Sequence, residues 1–198
     1  MDTEQGSVGR SRMLSKEVRT AGVLCAVGGA GWLVVGLLAP VSQPYSVAFA
    51  LMQVPWIIVQ LLLLVGVVGL AFSGVASGWF GGFALSIALL GRVVFVLAEI
   101  HSLILRDDSS FLLPLGAVIT AVSMTLVGIA VLRTRHWRGW QRFTPLLVGV
   151  YPFVAMFPFI FVTGAPNILA IAGWGLPWFL LGYAIWSSAA EVQPSRVR

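Results

Sequence analysis

Polarity along this chain changes in long blocks, not residue by residue. Six runs of mainly apolar residues, near 21–39, 54–72, 80–102, 112–132, 145–163 and 167–187, are separated by short polar breaks. A helix needs about 20 apolar residues to cross the hydrocarbon of a bilayer. Backbone polar groups in hydrocarbon must be satisfied within the element, and none of the runs alternates with a period of two. Each run is therefore predicted to be a helix and not a barrel strand. The expected fold is all-α, a polytopic bundle of six transmembrane helices over 20–187. A tail at 1–19, expected to be disordered, precedes it and a short tail at 188–198 follows.

The breaks carry turn chemistry. Ala39-Pro40 closes the first run, and Gly74, Ser77 and Gly78 lie between the second and third. Pro55 and Pro114 fall near expected helix starts, where a missing N–H costs little. The fifth run differs, because Pro152 and Pro158 are interior to it. Each should remove a backbone hydrogen bond and bend the helix, and Pro177 should do the same in the sixth. Neighbouring helices must then satisfy the freed carbonyls.

Small residues at three- or four-residue spacing let membrane helices approach closely. Gly22, Ala26 and Ala30 form such a line on the first helix, and Ala117, Ala121 and Thr125 on the fourth. Trp56, Trp79 and Trp186 sit near expected helix ends and read as interfacial anchors. Trp32, Trp174 and Trp178 lie deeper and are expected to pack together. A deep indole N–H needs an acceptor, which a proline-freed carbonyl can supply.

Composition agrees with the blocks. Of 198 residues, 59% are hydrophobic and 10% charged, against about 25% charged in soluble domains. The single cysteine, Cys25, excludes an intrachain disulfide. The net charge of +5 is not a nucleic-acid signal, because of where it sits. Arg10, Arg12, Lys16 and Arg19 precede the first helix, Arg133, Arg135, Arg138 and Arg142 lie between the fourth and fifth, and Arg196 and Arg198 follow the last. With six helices these segments share one side, and only Arg106 falls on the other. Positive residues favour the cytoplasmic face, so both termini are expected in the cytoplasm of a cell-membrane protein.

The third run, "GRVVFVLAEIHSLILRDD", holds charge where lipid is expected. Arg92 and Glu99 are seven apart, so they lie about 20° from each other around a helix axis, whereas His101 points about 200° from Glu99. Arg92 should sit about 18–20 Å from the cytoplasmic end. An arginine at that depth costs at least about 2.5–3.5 kcal/mol and seeks polar partners. Counting from the outer side gives about 8 Å of depth for Gln60 and about 12–14 Å for Thr120. Gln60, Arg92, Glu99 and Thr120 are thus the candidate polar cluster, in the outer half of the bundle. It reads either as a functional site or as a structural pair that holds helices in register.

His101, Arg106, Asp107 and Asp108 gather at the next loop with no ligand spacing, so a solvated turn is the reading and no metal is assigned. Ser109 or Ser110 is expected to cap the fourth helix. In "RTRHWRGWQR", Arg133, Arg135, Trp137, Arg138, Trp140 and Arg142 mix cations with indoles beside two membrane helices. That mixture is expected to anchor the loop to anionic lipid headgroups, with no nucleic-acid partner.

Familiar membrane chemistries lack their residues. No helix carries a lysine for a retinal Schiff base, and His101 and His136 are expected on opposite faces, which excludes a haem held between them. No phosphate loop, HExxH or cysteine pair occurs, so no cofactor is expected. The segments "RTAGVLCAVGGAGWLVVGLLAP", "HWRGWQRFTPLLVGVYPF" and "NILAIAGWGLPWFLLGYAIW" resemble uncharacterised six-helix integral membrane proteins of actinobacteria. That resemblance implies no activity and carries over no site residue. Two functions remain: a non-enzymatic accessory or structural subunit, alone as a homo-oligomer or beside other membrane subunits, and a small transporter or channel-like carrier using the polar cluster.

Overall fold

The computed structural model describes residues 2–38, 45–106, 111–165 and 167–191, with side chains from Ser15 to Ala189 among them. Every regular element in these residues is helical. Four long helices come first: α1 (Asp2–Leu38), α2 (Val47–Phe72), α3 (Trp79–Leu105) and α4 (Leu112–Thr134). The last two crossings are each broken, into α5 (Thr144–Tyr151) with α6 (Phe157–Thr163), and α7 (Ile168–Gly173) with α8 (Gly175–Glu191). Six helical segments, counting each broken pair as one, are long and apolar enough to cross a membrane.

Two boundaries differ from expectation. Helix α1 runs through 2–19, the stretch expected to be disordered. Its apolar part, Ser15–Leu38, is long and apolar enough to span a membrane. Once that part is helical, each added residue gains a hydrogen bond without a new nucleus. Helix α2 starts at Val47, seven residues before the expected start near 54. The Ser46 hydroxyl caps it by accepting from Phe49 N at 3.0 Å. Pro55 is therefore interior to α2 and not at its start. At α4 the cap position is Phe111, while Ser109 and Ser110 lie outside the described residues.

Helix α1 lies between α2 and α8, and glycine is the reason both approach so closely. A Cβ on Gly29 would stand 2.3 Å from the backbone N of Phe179, and one on Gly22 2.6 Å from that of Trp186. On the α2 side, a Cβ on Gly66 would meet the Cys25 sulfur at 2.4 Å. The close seam thus uses Gly22, Ala26 and Gly29, whereas Ala30, expected on it, is exposed. A helix advances about 100° per residue, so a contact line needs mixed three- and four-residue steps; strict fours drift off it. In α4, Ala117 and Ala121 are buried, and Thr125 lies against Gly149 of α5.

The broken crossings show what proline does. Pro152 cannot donate to Val148 O, four residues earlier, and the Trp174 indole N–H donates to that carbonyl at 2.8 Å. Between the prolines the ladder slips to a π turn over Pro152–Met156 before α6 resumes. The sixth crossing breaks at Trp174, and Pro177 sits in the first turn of α8, where its missing N–H is no loss. Trp32 donates to Ile171 O at 2.7 Å beside that break.

Contacts between connections tie the two ends of the bundle. Tyr45 N donates to Arg106 O at 2.7 Å at one end. At the other, Thr134 Oγ1 donates to Val75 O at 2.6 Å, Gln141 Nε2 to Ser187 Oγ at 3.0 Å, and the Arg19 guanidinium lies 5.3 Å from the Trp186 ring centre. Large apolar side chains cover the outside, Phe161 being 85% exposed. Such a surface suits hydrocarbon and not water.

Candidate functional site

Helix α3 buries a continuous stripe that includes Ala88, Gly91, Arg92, Phe95, Ala98, Glu99 and Ser102. Steps of three and four keep these residues on one face, so Arg92 turns inward with its small neighbours. His101 and Arg106, off the stripe, are exposed, and Asp107 and Asp108 lie outside the described residues. Arg92 is the middle residue of the 27-residue α3, and Gln60 stands at the middle of the 26-residue α2. Gln60 is thus about 20 Å from the start of its helix, not the expected 8 Å, because α2 begins earlier. Both residues sit at mid-length, not toward one end of the bundle.

Arg92 is 0% exposed, and its Nη2 donates to Gln60 Oε1. Aromatic rings enclose the rest of the guanidinium. Its central carbon lies 4.8 Å from the Trp178 ring centre, 5.0 Å from that of Phe95 and 5.9 Å from that of Trp32. Ring faces carry negative potential, and the attraction of a desolvated cation to each is worth about 2 kcal/mol. The rings themselves form an edge-to-face set, with Trp32 5.0 Å from Trp56 and 5.3 Å from Trp174. Trp56, half-buried, packs edge-on against Trp32 and lies nine residues into α2, deeper along it than the helix end expected of it. Trp79, 84% exposed at the start of α3, has the exposure an anchor needs.

The other two members of the expected cluster are also buried. Glu99, 6% exposed, follows Arg92 by two helical turns and is near enough to act on its charge. The hydroxyl of Thr120 is fully buried and faces Gly91, where a Cβ would stand 2.9 Å from it. Within the group, Arg92 donates directly to Gln60.

Sequence reasoning did not foresee the ring enclosure. Phe95 is three residues from Arg92, so a same-face reading finds it. Trp32 and Trp178 come from α1 and α8, and only tertiary packing brings them to Arg92. Cys25 of α1 is buried on the same side, its thiol directed to Trp178 O at 3.6 Å. Gln53, just before the expected second run, is buried in α2.

Polar satisfaction at this centre is incomplete. Among the described residues, Arg92 Nε and Nη1, Gln60 Nε2, Thr120 Oγ1, Ser102 Oγ and Trp178 Nε1 are buried without a hydrogen-bond partner. Buried polar groups are paired in the great majority of cases, so each of these needs a physical account.

The arginine-rich connection has a different character. Arg133, Arg135, Arg138 and Arg142 are exposed, and Trp140 stacks 6.0 Å from Tyr183. Arg135 takes a left-handed turn, φ 54°, as α4 ends. Trp137, two residues on, tucks beneath the bundle and is only 5% exposed. It packs in the core and does not face headgroups, a correction to its expected role.

No family model, curated protein or solved structure matches the chain.

Proposed function

We propose that this multi-pass membrane protein performs no chemistry of its own and serves as an accessory or structural subunit of a membrane assembly. One observation carries the reading. The only charge at the middle of α3 is withdrawn completely from solvent and held by side chains from α1, α2 and α8. A cation that touches three other helices fixes their register, which is the best-attested use of buried polar groups. The test is extraction of the tagged chain in mild detergent. A second membrane polypeptide, or a fixed number of copies of this chain, should co-purify at constant stoichiometry; a lone monomer would remove the reading.

A small carrier is the second reading, supported by the unpartnered donors around Arg92. It requires solute flux into liposomes that carry the purified chain, lost on Arg92→Gln.

The proposed setting is the cell membrane of a bacterium resembling the actinobacterial group, with both termini and the arginine-rich connection in the cytoplasm. The ten-to-one distribution of basic residues supports this topology. So do the Arg19–Trp186 and Gln141–Ser187 contacts, which join the two ends of the chain to that connection. Arg133, Arg135, Arg138, Arg142 and Trp140 would then meet anionic headgroups.

A further inference from the structure

Three side chains at the bundle centre share an imbalance of chemistry. Arg92 and Trp178 offer donors only, and Gln60 has one acceptor, Oε1, which Arg92 Nη2 already occupies. The remaining groups, Arg92 Nε and Nη1, Gln60 Nε2 and Trp178 Nε1, are all donors without acceptors among the described residues. They are neighbours, since Gln60 bonds Arg92 and the Arg92 guanidinium lies 4.8 Å from the Trp178 ring centre. All three residues are 0% exposed. Glu99 moderates the charge from about 10 Å further along the axis, yet these N–H groups remain without an acceptor. The Cys25 thiol is directed to the Trp178 carbonyl and leaves the indole N–H unmatched.

We propose that Arg92, Gln60 and Trp178 form a buried binding site for one small monovalent anion of the halide class. The missing component is an acceptor, and an anion accepts from several donors at once. With the Glu99 carboxylate already near enough to act on Arg92, the centre has no surplus positive charge for a divalent anion. Phe95 and Trp32 supply apolar walls that offer no water, so a weakly hydrated ion fits better than phosphate. The site goes beyond the accessory reading and does not depend on it, since a bound anion can serve a rigid subunit or a carrier.

The test uses the full chain in detergent micelles and chloride as the probe. The chlorine-35 NMR line width is measured against chloride concentration, with gluconate holding ionic strength constant. The expected result is excess broadening that saturates and is displaced by bromide. Trp178→Phe keeps the ring and removes the N–H, and should weaken binding about tenfold. Gln60→Glu, nearly the same size, places a carboxylate against Arg92; it should abolish the broadening and raise the unfolding temperature in chloride-free buffer. Broadening that grows only linearly for the unmodified chain overturns the proposal, as would be expected if the ring faces or water alone satisfied Arg92. Saturable broadening that persists unchanged in both variants overturns it as well.

Discussion

Arg92 and Gln60 share a hydrogen bond where neither has access to water. The consequence is an asymmetry between removing one partner and removing both. Gln60→Leu leaves the guanidinium without its acceptor and should lower stability by about 2–3 kcal/mol. Arg92→Met leaves the Gln60 amide without its partner and buried Glu99 without the nearby cation, and should cost about 3–5 kcal/mol. The double variant should recover about 1–2 kcal/mol relative to the sum, read from unfolding of the purified chain in mixed micelles. An additive pair of losses would show that the bond contributes nothing. Arg92, Glu99, Gln60 and Thr120 were legible as a buried group because charged and polar letters stand out in apolar runs. The bonding among them was not legible, since it depends on where α2 begins, and Ser46, outside the apolar run, sets that point.

At the level of elements, glycine and proline divide the work. Gly29→Ala puts a methyl group into the Phe179 backbone and should destabilise the bundle by about 1–3 kcal/mol. Gly82→Ala has open space around its Cβ and should be neutral or stabilise α3 by up to about 1 kcal/mol. Equal effects of the two would mean that the α1–α8 seam is not close-packed; thermal unfolding of both variants decides this. The bend after α5 has its own test. Trp174→Phe removes the donor to Val148 O and should cost about 1–3 kcal/mol. Pro152→Ala restores a backbone N–H for that carbonyl, so in its background the same change should cost less. The need for an acceptor for a deep indole was visible in sequence. That Val148 and Trp174 meet was decided by the packing of α5 against α8.

For the whole molecule, the outer face is apolar and the basic residues concentrate at the two ends of the chain and in the connection after α4. Reporter fusions after residue 139 and at the C-terminus should report the cytoplasm, and a fusion after residue 105 the opposite face. Any other pattern would refute the proposed threading. Changing Arg133, Arg135, Arg138 and Arg142 together to Gln should weaken retention on anionic over neutral lipid. Each cation near the surface contributes about 1 kcal/mol, measured by native mass spectrometry of bound phospholipid. Trp137→Ala should behave differently, reducing stability and leaving lipid preference intact, because this indole is in the core.

Block polarity by itself determined the helical class, the six helices long and apolar enough to cross a membrane, and the burial of a charged stripe on α3. These follow from the mismatch between peptide groups and hydrocarbon, which acts at every position and needs no partner. Tertiary structure decided the rest: which rings enclose Arg92, which carbonyl receives Trp174, and why Trp137 is interior. These depend on two or more helices meeting at a particular rotation and height. Close approach of backbones at Gly22, Gly29 and Gly66 sets that geometry, and apolar letters alone leave it open because every face of such a helix tolerates lipid.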